Sequence, residues 1–251
     1  MTFAIVSDIH SNFTALEAVL ADIDRRGITK IYCLGDIVGY GPEPTKCLDL
    51  VIQRGMISIM GNHDHAVFYE PTNFNTGAER ATYWTRQCLE DEPDPAKRNR
   101  RWSFLGRLPV RLALDSILMA HGSPRRPVSE YIFPDDIYTN TGKIAANFER
   151  IKHLCFVGHT HVPGIFLEDP DFYGIDELDS VYTILESERA IINVGSVGQP
   201  RDQDVRACYV VVHDDKVEFV RVEYDIESTA QLILANPALD NFEGERLKDG
   251  R

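Results

Sequence analysis

The chain has 251 residues, 43% of them apolar, and a formal net charge of −13 at neutral pH. Those figures suit a globular domain with a sizeable core and exclude a general binding surface for nucleic acid or anionic membrane. The five cysteines show no C-x-x-C spacing, no run approaches the roughly 18 apolar residues of a spanning helix, and the N-terminus opens directly on a strand, so a cytoplasmic location is expected.

In chain order, the apolar run 3–6 predicts a strand, and the face formed by Ala15, Leu16, Val19, Leu20 and Ile23 predicts a helix ending near Gly27. A second strand over 31–34, a helix around Cys47, Leu48 and Val51, and a third strand over 57–60 follow. This alternation predicts parallel strands covered by helices, with ligands grouped beyond the strands' C-terminal ends. The pattern breaks over about 66–110. There, a helix over Thr76–Glu90 precedes a charged stretch, 91–101, that reads as an exposed loop, and Trp84 and Trp102 read as buried aromatics. After further strands over 117–120 and 154–157, the last third predicts strands over 190–194 and 207–212. A turn at Asp214 and Asp215 then leads to a half-buried hairpin strand over 217–224 and a helix over Ile226–Leu234. The polar tail from 241 to 251 is expected to fray. All 251 residues read as one domain.

Five of the predicted strands end in similar chemistry. Asp8 and His10 follow the first, Asp36 the second, and Asn62, His63 and Asp64 the third; His121 follows 117–120, and His159 and His161 follow 154–157. A lone Asp or Asn after a strand is ordinarily a turn residue bonding its own backbone. Coincidence is a poor account here, because five of the eight histidines lie in these segments and only His65, His153 and His213 fall outside them. Asp8, His10, Asp36, Asn62, His121, His159 and His161 offer enough oxygen and imidazole donors for two divalent ions. The mixed set suits Mn, Fe, Zn, Co or Ni better than Ca or Mg alone.

The order Asp-x-His, Gly-Asp, Gly-Asn-His-Asp, His-Gly and Gly-His-Thr-His resembles the calcineurin-like metallophosphoesterase family, from Ala4 to about Tyr224. The segments 7–12, 121–124 and 193–201 look like its bacterial and archaeal branch, which includes small phosphodiesterases and diadenosine tetraphosphate hydrolases. The resemblance implies an α/β fold, a four-layer αββα sandwich of two mixed β-sheets flanked by helices. It implies that Asp8, His10 and His161 hold one ion, that Asn62, His121 and His159 hold a second, and that Asp36 bridges them. Mn is the expected ion, with Fe, Zn, Co, Ni or Mg as substitutes. A metal-bridging hydroxide would attack phosphorus in line, His63 would face the substrate and assist the leaving group, and Asp64 would orient His63 through a hydrogen bond.

Beyond the ligands, Asn12, Arg125 and Arg201 are candidate substrate contacts. Asn12 reads equally as a helix N-cap, and Arg125 equally as half of a salt bridge. The expected substrate is a small phosphoester or nucleotide, with a phosphodiester or dinucleoside polyphosphate preferred. A phosphomonoesterase, a protein phosphatase and a non-catalytic binding scaffold on the same fold are the alternatives.

Overall fold

Alternation along the first strand, β1 (Phe3–Val6), divides its buried side chains between two cores. Ala4 and Val6 pack against helices, whereas Phe3 and Ile5 pack against a second sheet. The computed structural model describes residues 2–251. After β1 come α1 (Phe13–Arg25), β2 (Ile31–Cys33), α2 (Pro44–Gln53), β3 (Ile57–Ser58), α3 (Asn62–Phe68), α4 (Thr76–Glu90) and α5 (Pro95–Leu105). The hairpin β4 (Arg111–Leu114) and β5 (Ile117–Ala120) leads to α6 (Asp136–Thr139), α7 (Thr141–Phe148), β6 (Leu154–Val157), β7 (Gly164–Leu167) and β8 (Asp171–Gly174). The chain ends with β9 (Val181–Thr183), β10 (Ala190–Asn193), β11 (Ala207–Val212), β12 (Lys216–Val222), α8 (Ile226–Leu234) and α9 (Asn241–Glu245).

Two six-stranded mixed sheets result, in the orders β3-β2-β1-β11-β12-β9 and β4-β5-β6-β10-β7-β8. β1, β2 and β3 run parallel in one sheet, and β5, β6 and β10 run parallel in the other. Ile5, Tyr32 and Val210 meet Phe156, Ile165 and Ile192 between the sheets. Leu16, Val19, Leu48 and Val51 cover one outer face, while Ile144 and Phe148 cover the other against Cys155 and Val157. This is the expected four-layer αββα sandwich. Among the described residues no helix is long and apolar enough to cross a membrane.

Two segments depart from the sequence reading. The stretch expected to be a loop over 91–101 is mostly α5, and the missed signal is local. Asp94 caps the helix by accepting the Ala96 amide at 2.9 Å, and Pro95 occupies its first turn. Arg101, on the half read as exposed, is buried and forms a fork with Asp49 (2.9 and 2.6 Å) plus a bond to Glu92 (2.8 Å), which ties α5 to α2. Trp102, read as buried, is partly buried and packs against the main helical core.

The C-terminal tail does not fray. Asp240 caps α9 through the Phe242 amide, a short 3-10 turn follows over Arg246–Lys248, and Leu247 is buried with Ala81, Ile233 and Leu239 beside Trp84. Apolar residues too few to show a period still fill a gap between α4 and α8. Leu247→Ala should therefore cost about 2 kcal/mol or more, lowering the thermal midpoint by roughly 4–8 °C. A melting curve identical to wild type would show the tail detached.

Candidate metal centre

The loops beyond the parallel strands are laced together before any ligand is considered. The Asp8, His10 and Ser11 amides donate to the carbonyls of Gly35 (3.0 Å), Asp36 (2.9 Å) and Ile37 (3.0 Å), which joins the loop after β1 to that after β2. Across to the other sheet, the Asp8 Oδ2 atom accepts the His159 amide at 3.0 Å. Asp8, His10, Asp36, His159 and His161 all hold φ between 47° and 68°. Non-glycine residues rarely enter this left-handed region, and when held there they cluster at functional sites.

These turns aim the side chains at one another. Asp8, His10 and His161 bring their ligand atoms within 4.8 Å of one another, as do Asp36, His121 and His159. The tautomers follow from outer contacts. His161 Nδ1 faces the Gln199 carbonyl at 2.6 Å and His121 Nδ1 faces the Leu34 carbonyl at 3.0 Å, so each carries its hydrogen there and leaves Nε2 as a lone pair. His161 Nε2 lies 3.1 Å from both Asp8 Oδ1 and His10 Nε2. His121 Nε2 lies 2.9 Å from Asn62 Oδ1, 3.1 Å from His159 Nδ1 and 3.3 Å from Asp36 Oδ2. Buried Asp8 Oδ1 has no hydrogen-bond donor. In these neutral tautomers the Nε2 lone pairs of His161 and His121 face carboxylate or amide oxygens, an arrangement that a divalent cation satisfies.

The buried imidazoles do not share one protonation state. Burial, reinforced by His121 for His159 and by Arg201 for His161, brings both imidazoles down to about 3, so they are neutral near pH 7. Burial alone would raise both carboxyls. The imidazoles outweigh it (His161 and His121 at Asp8, His121 and His63 at Asp36) and hold both groups below the usual carboxylate range. At His121 the balance reverses: burial opposes its charge, but Asp36 and Asp8 lift it to about 9. The two carboxylates draw positive charge to this point, a role a bound ion would take over.

All seven expected ligands converge. Asn62 does so from the first turn of α3, whose N-cap is Gly61. His63, also in that turn, donates its amide to Asp36 Oδ1 at 2.7 Å, and its ring packs between Tyr40 (4.4 Å) and Phe74 (4.7 Å), 4.9 Å from His10. Burial holds its pKa well below the ordinary imidazole value despite Asp36.

Three expectations are corrected. Asp64 does not touch His63; its Oδ1 accepts the amides of Ile37 and Val38 and its Oδ2 accepts that of Gly61, so it braces two loops. Asn12 is an N-cap, buried, accepting from Ala15 and Thr229 while donating to the Gly198 carbonyl, so its side chain is engaged within the fold. Arg125 is spent on Glu130. In each case a nearer backbone or charged partner takes the side chain.

Arg201, by contrast, lies beside the centre, its guanidinium 5.8 Å from the Tyr40 ring and its Nε buried without a partner. A cleft of about 640 Å³ opens against Asn62, His63 and His159, walled by Tyr40, Phe74, Arg126 and Tyr131. Sequence reasoning overlooked Tyr40 and Phe74. Tyr40 carried a local signal, since it lies in the Gly39-Tyr40-Gly41 turn, whereas Phe74 carried none. Tyr131 stacks on the His159 ring at 3.7 Å and 17°.

Residues 1–216 match the calcineurin-like phosphoesterase superfamily domain. The chain belongs to that superfamily. It is 38% identical to a metallophosphoesterase from Sphaerobacter thermophilus whose structure superposes with a TM-score of 0.83, each chain being covered in full. It is also 38% identical to an uncharacterized protein, MJ0912, of Methanocaldococcus jannaschii, with 99% of this chain and 98% of that one aligned. A hypothetical protein, PH1004, of Pyrococcus horikoshii OT3 shares the fold at 21% identity and a TM-score of 0.77, covering 100% of this chain and 98% of its own. Calcineurin-like phosphoesterases are metal-dependent hydrolases of phosphoesters, and the His and Asp clusters at the strand ends are the potential metal ligands here.

Close packing behind the ligands gives a direct test. A Cβ on Gly158 would lie 2.4 Å from Asp8 Oδ2 and 2.1 Å from Ser7 Oγ. Gly158→Ala should therefore displace Asp8 and lower the metal content of the purified protein while its circular dichroism stays native. Full metal occupancy in that variant would contradict the assignment of Asp8.

Proposed function

We propose that the centre holds two divalent ions, Mn by preference, and hydrolyses a small phosphodiester or a dinucleoside polyphosphate. The position of Asp36 carries the reading. Its Oδ2 lies 3.3 Å from His121 Nε2 and 3.7 Å from His10 Nε2, so one carboxylate faces both ligand clusters. When bound, such a pair supplies Lewis acidity and a water activated near neutral pH. Asn62 contributes a neutral oxygen, which leaves the centre more positive than a third carboxylate would and so favours an anionic substrate despite the acidic exterior.

The chain's own groups then divide the substrate. Arg201, whose Nε–H has no protein partner, offers a donor to a phosphoryl oxygen. His63, at the junction of the centre and the cleft, donates a hydrogen bond or a proton to the leaving oxygen. The cleft beyond it is large enough for a drug-sized group, and Tyr40, Phe74 and Tyr131 offer flat apolar surfaces suited to a nucleobase. That volume on the leaving side favours an esterified substituent over a free phosphate. Five free cysteines suit a reducing, cytoplasmic setting.

A Mn²⁺ assay comparing a bis-nitrophenyl diester, a nitrophenyl monoester and diadenosine tetraphosphate should show the monoester turned over most slowly; a monoester preference would remove the diester reading. Chelation should abolish turnover and Mn²⁺ restore it, with the far-ultraviolet spectrum unchanged throughout, because the two-sheet core does not depend on the ions. Asp36→Asn should lower the content of both ions together, and elemental analysis showing two tightly held ions would refute bridging. His63→Ala should keep its metals and lose about tenfold more kcat on an alkyl ester than on a nitrophenyl ester, whose leaving group departs without an acid. Equal penalties would assign His63 to the phosphoryl oxygens instead.

A further inference from the structure

The glycine-rich turn after β10 gives Gln199 contacts on three sides. Its carbonyl accepts from His161 Nδ1 at 2.6 Å, its side-chain oxygen accepts from Arg201 Nη2 at 2.6 Å, and its Nε2 donates to Glu243 Oε2 at 2.8 Å. Gln199 and Glu243 are only 2% and 4% exposed. A primary amide can be flipped, and both orientations occupy the same space. A carboxylate only accepts and a guanidinium only donates. Glu243 on one side and Arg201 on the other therefore admit a single orientation of the Gln199 amide, with its NH₂ toward Glu243 and its oxygen toward Arg201.

Arg201 is held at its other end as well. Its own amide donates to the His161 carbonyl at 3.3 Å, and its guanidinium sits over the Tyr40 ring. Arg246 adds to the crowding of cations, with Nη1 3.6 Å from Glu243 Oε2. Without Glu243, two neighbouring guanidinium groups would lose the carboxylate between them. Glu243 lies on α9, outside the residues 1–216 that match the superfamily domain.

Resting on the phosphoesterase reading above, we propose that Glu243 is a positioning residue: through the Gln199 amide it holds Arg201 so that its unpartnered Nε–H can meet a phosphoryl group at the metal centre. The C-terminal segment thereby completes the phosphate-binding side of the site, rather than merely closing the end of the fold.

The test uses the full-length, Mn-loaded protein, with orthophosphate affinity by titration calorimetry, steady-state kinetics on the bis-nitrophenyl diester, and thermal melting. Glu243→Ala should weaken orthophosphate roughly tenfold, about the loss expected when one charge-assisted contact is misaligned. Glu243→Gln, which still offers an oxygen to Gln199, should stay within about threefold of wild type. In an Arg201→Ala background, Glu243→Ala should change affinity no further. Should Glu243→Ala fold poorly, Gln199→Met breaks the same link from the middle and carries the same expectation. Penalties that multiply in the double variant, or a fall in melting temperature with phosphate affinity intact, would make Glu243 a purely structural anchor. A wild-type protein that binds orthophosphate but turns over no ester would sink the functional reading while the affinity cycle still decides the role of Glu243. A wild type that binds no orthophosphate would overturn the positioning role itself.

Discussion

Asp36 serves the fold with one oxygen and the centre with the other. Oδ1 accepts the His63 amide and so sets where α3 begins, while Oδ2 faces His121 and His10. Gly61 packs closely against this carboxylate, since a Cβ there would lie 2.1 Å from Oδ1. Among the described residues only imidazoles lie within ion-pair distance of Asp8 and Asp36, although both are buried. Two buried carboxylates need compensating charge. Around them stand only imidazoles and an amide, which is why the chemistry of the site and the stability of its loops cannot be separated.

The left-handed ligand residues belong to the same constraint. Five positions with φ near 50–70° cost free energy that the sandwich must offset, of order 1 kcal/mol each where a side chain is poorly suited. Asp and His tolerate this region better than most residues, so the ligand types and the turn geometry are compatible. The turns persist because amide-to-carbonyl bonds lace the loops of one sheet, and the Asp8–His159 contact joins them to the other. Central strands buried on both faces make a rigid base for such loops.

The leaving-group side is built differently. Its wall comes from α3, α4 and the loop between them, together with Tyr40 and the loop after β5 that carries Arg126 and Tyr131. Arg86 of α4 donates to the Val67 carbonyl at 2.8 Å and the Ala66 carbonyl at 3.0 Å, which satisfies the open end of α3 and fixes the helix that carries His63. Six of the seven expected ligands thus follow buried strands directly, whereas Asn62 shares α3 with the wall of the cleft.

Periodicity and turn residues alone located β1, α1, α2 and the principal parallel strands, because burial imprints a local pattern on side chains two or three to four residues apart. The seven expected ligand positions could be named from sequence because each motif lies in one short segment at a strand end, and the fold brings their side chains together. Elements with half-buried or mixed faces, such as β8, escaped, and α5 was hidden by its charges despite the cap at Asp94 and Pro95. What only the tertiary structure decided was the use of each polar side chain. Asp64 and Asn12 found backbone amides, Arg125 found Glu130, and Arg201 alone of the three expected substrate contacts kept an unpartnered donor beside the centre. The C-terminal tail, too polar to predict, docks because Leu247 fills a gap and Glu243 reaches Gln199 across 44 residues of chain. Sequence records which groups can bond; it does not record which competing partner, distant in the chain, the fold brings nearest.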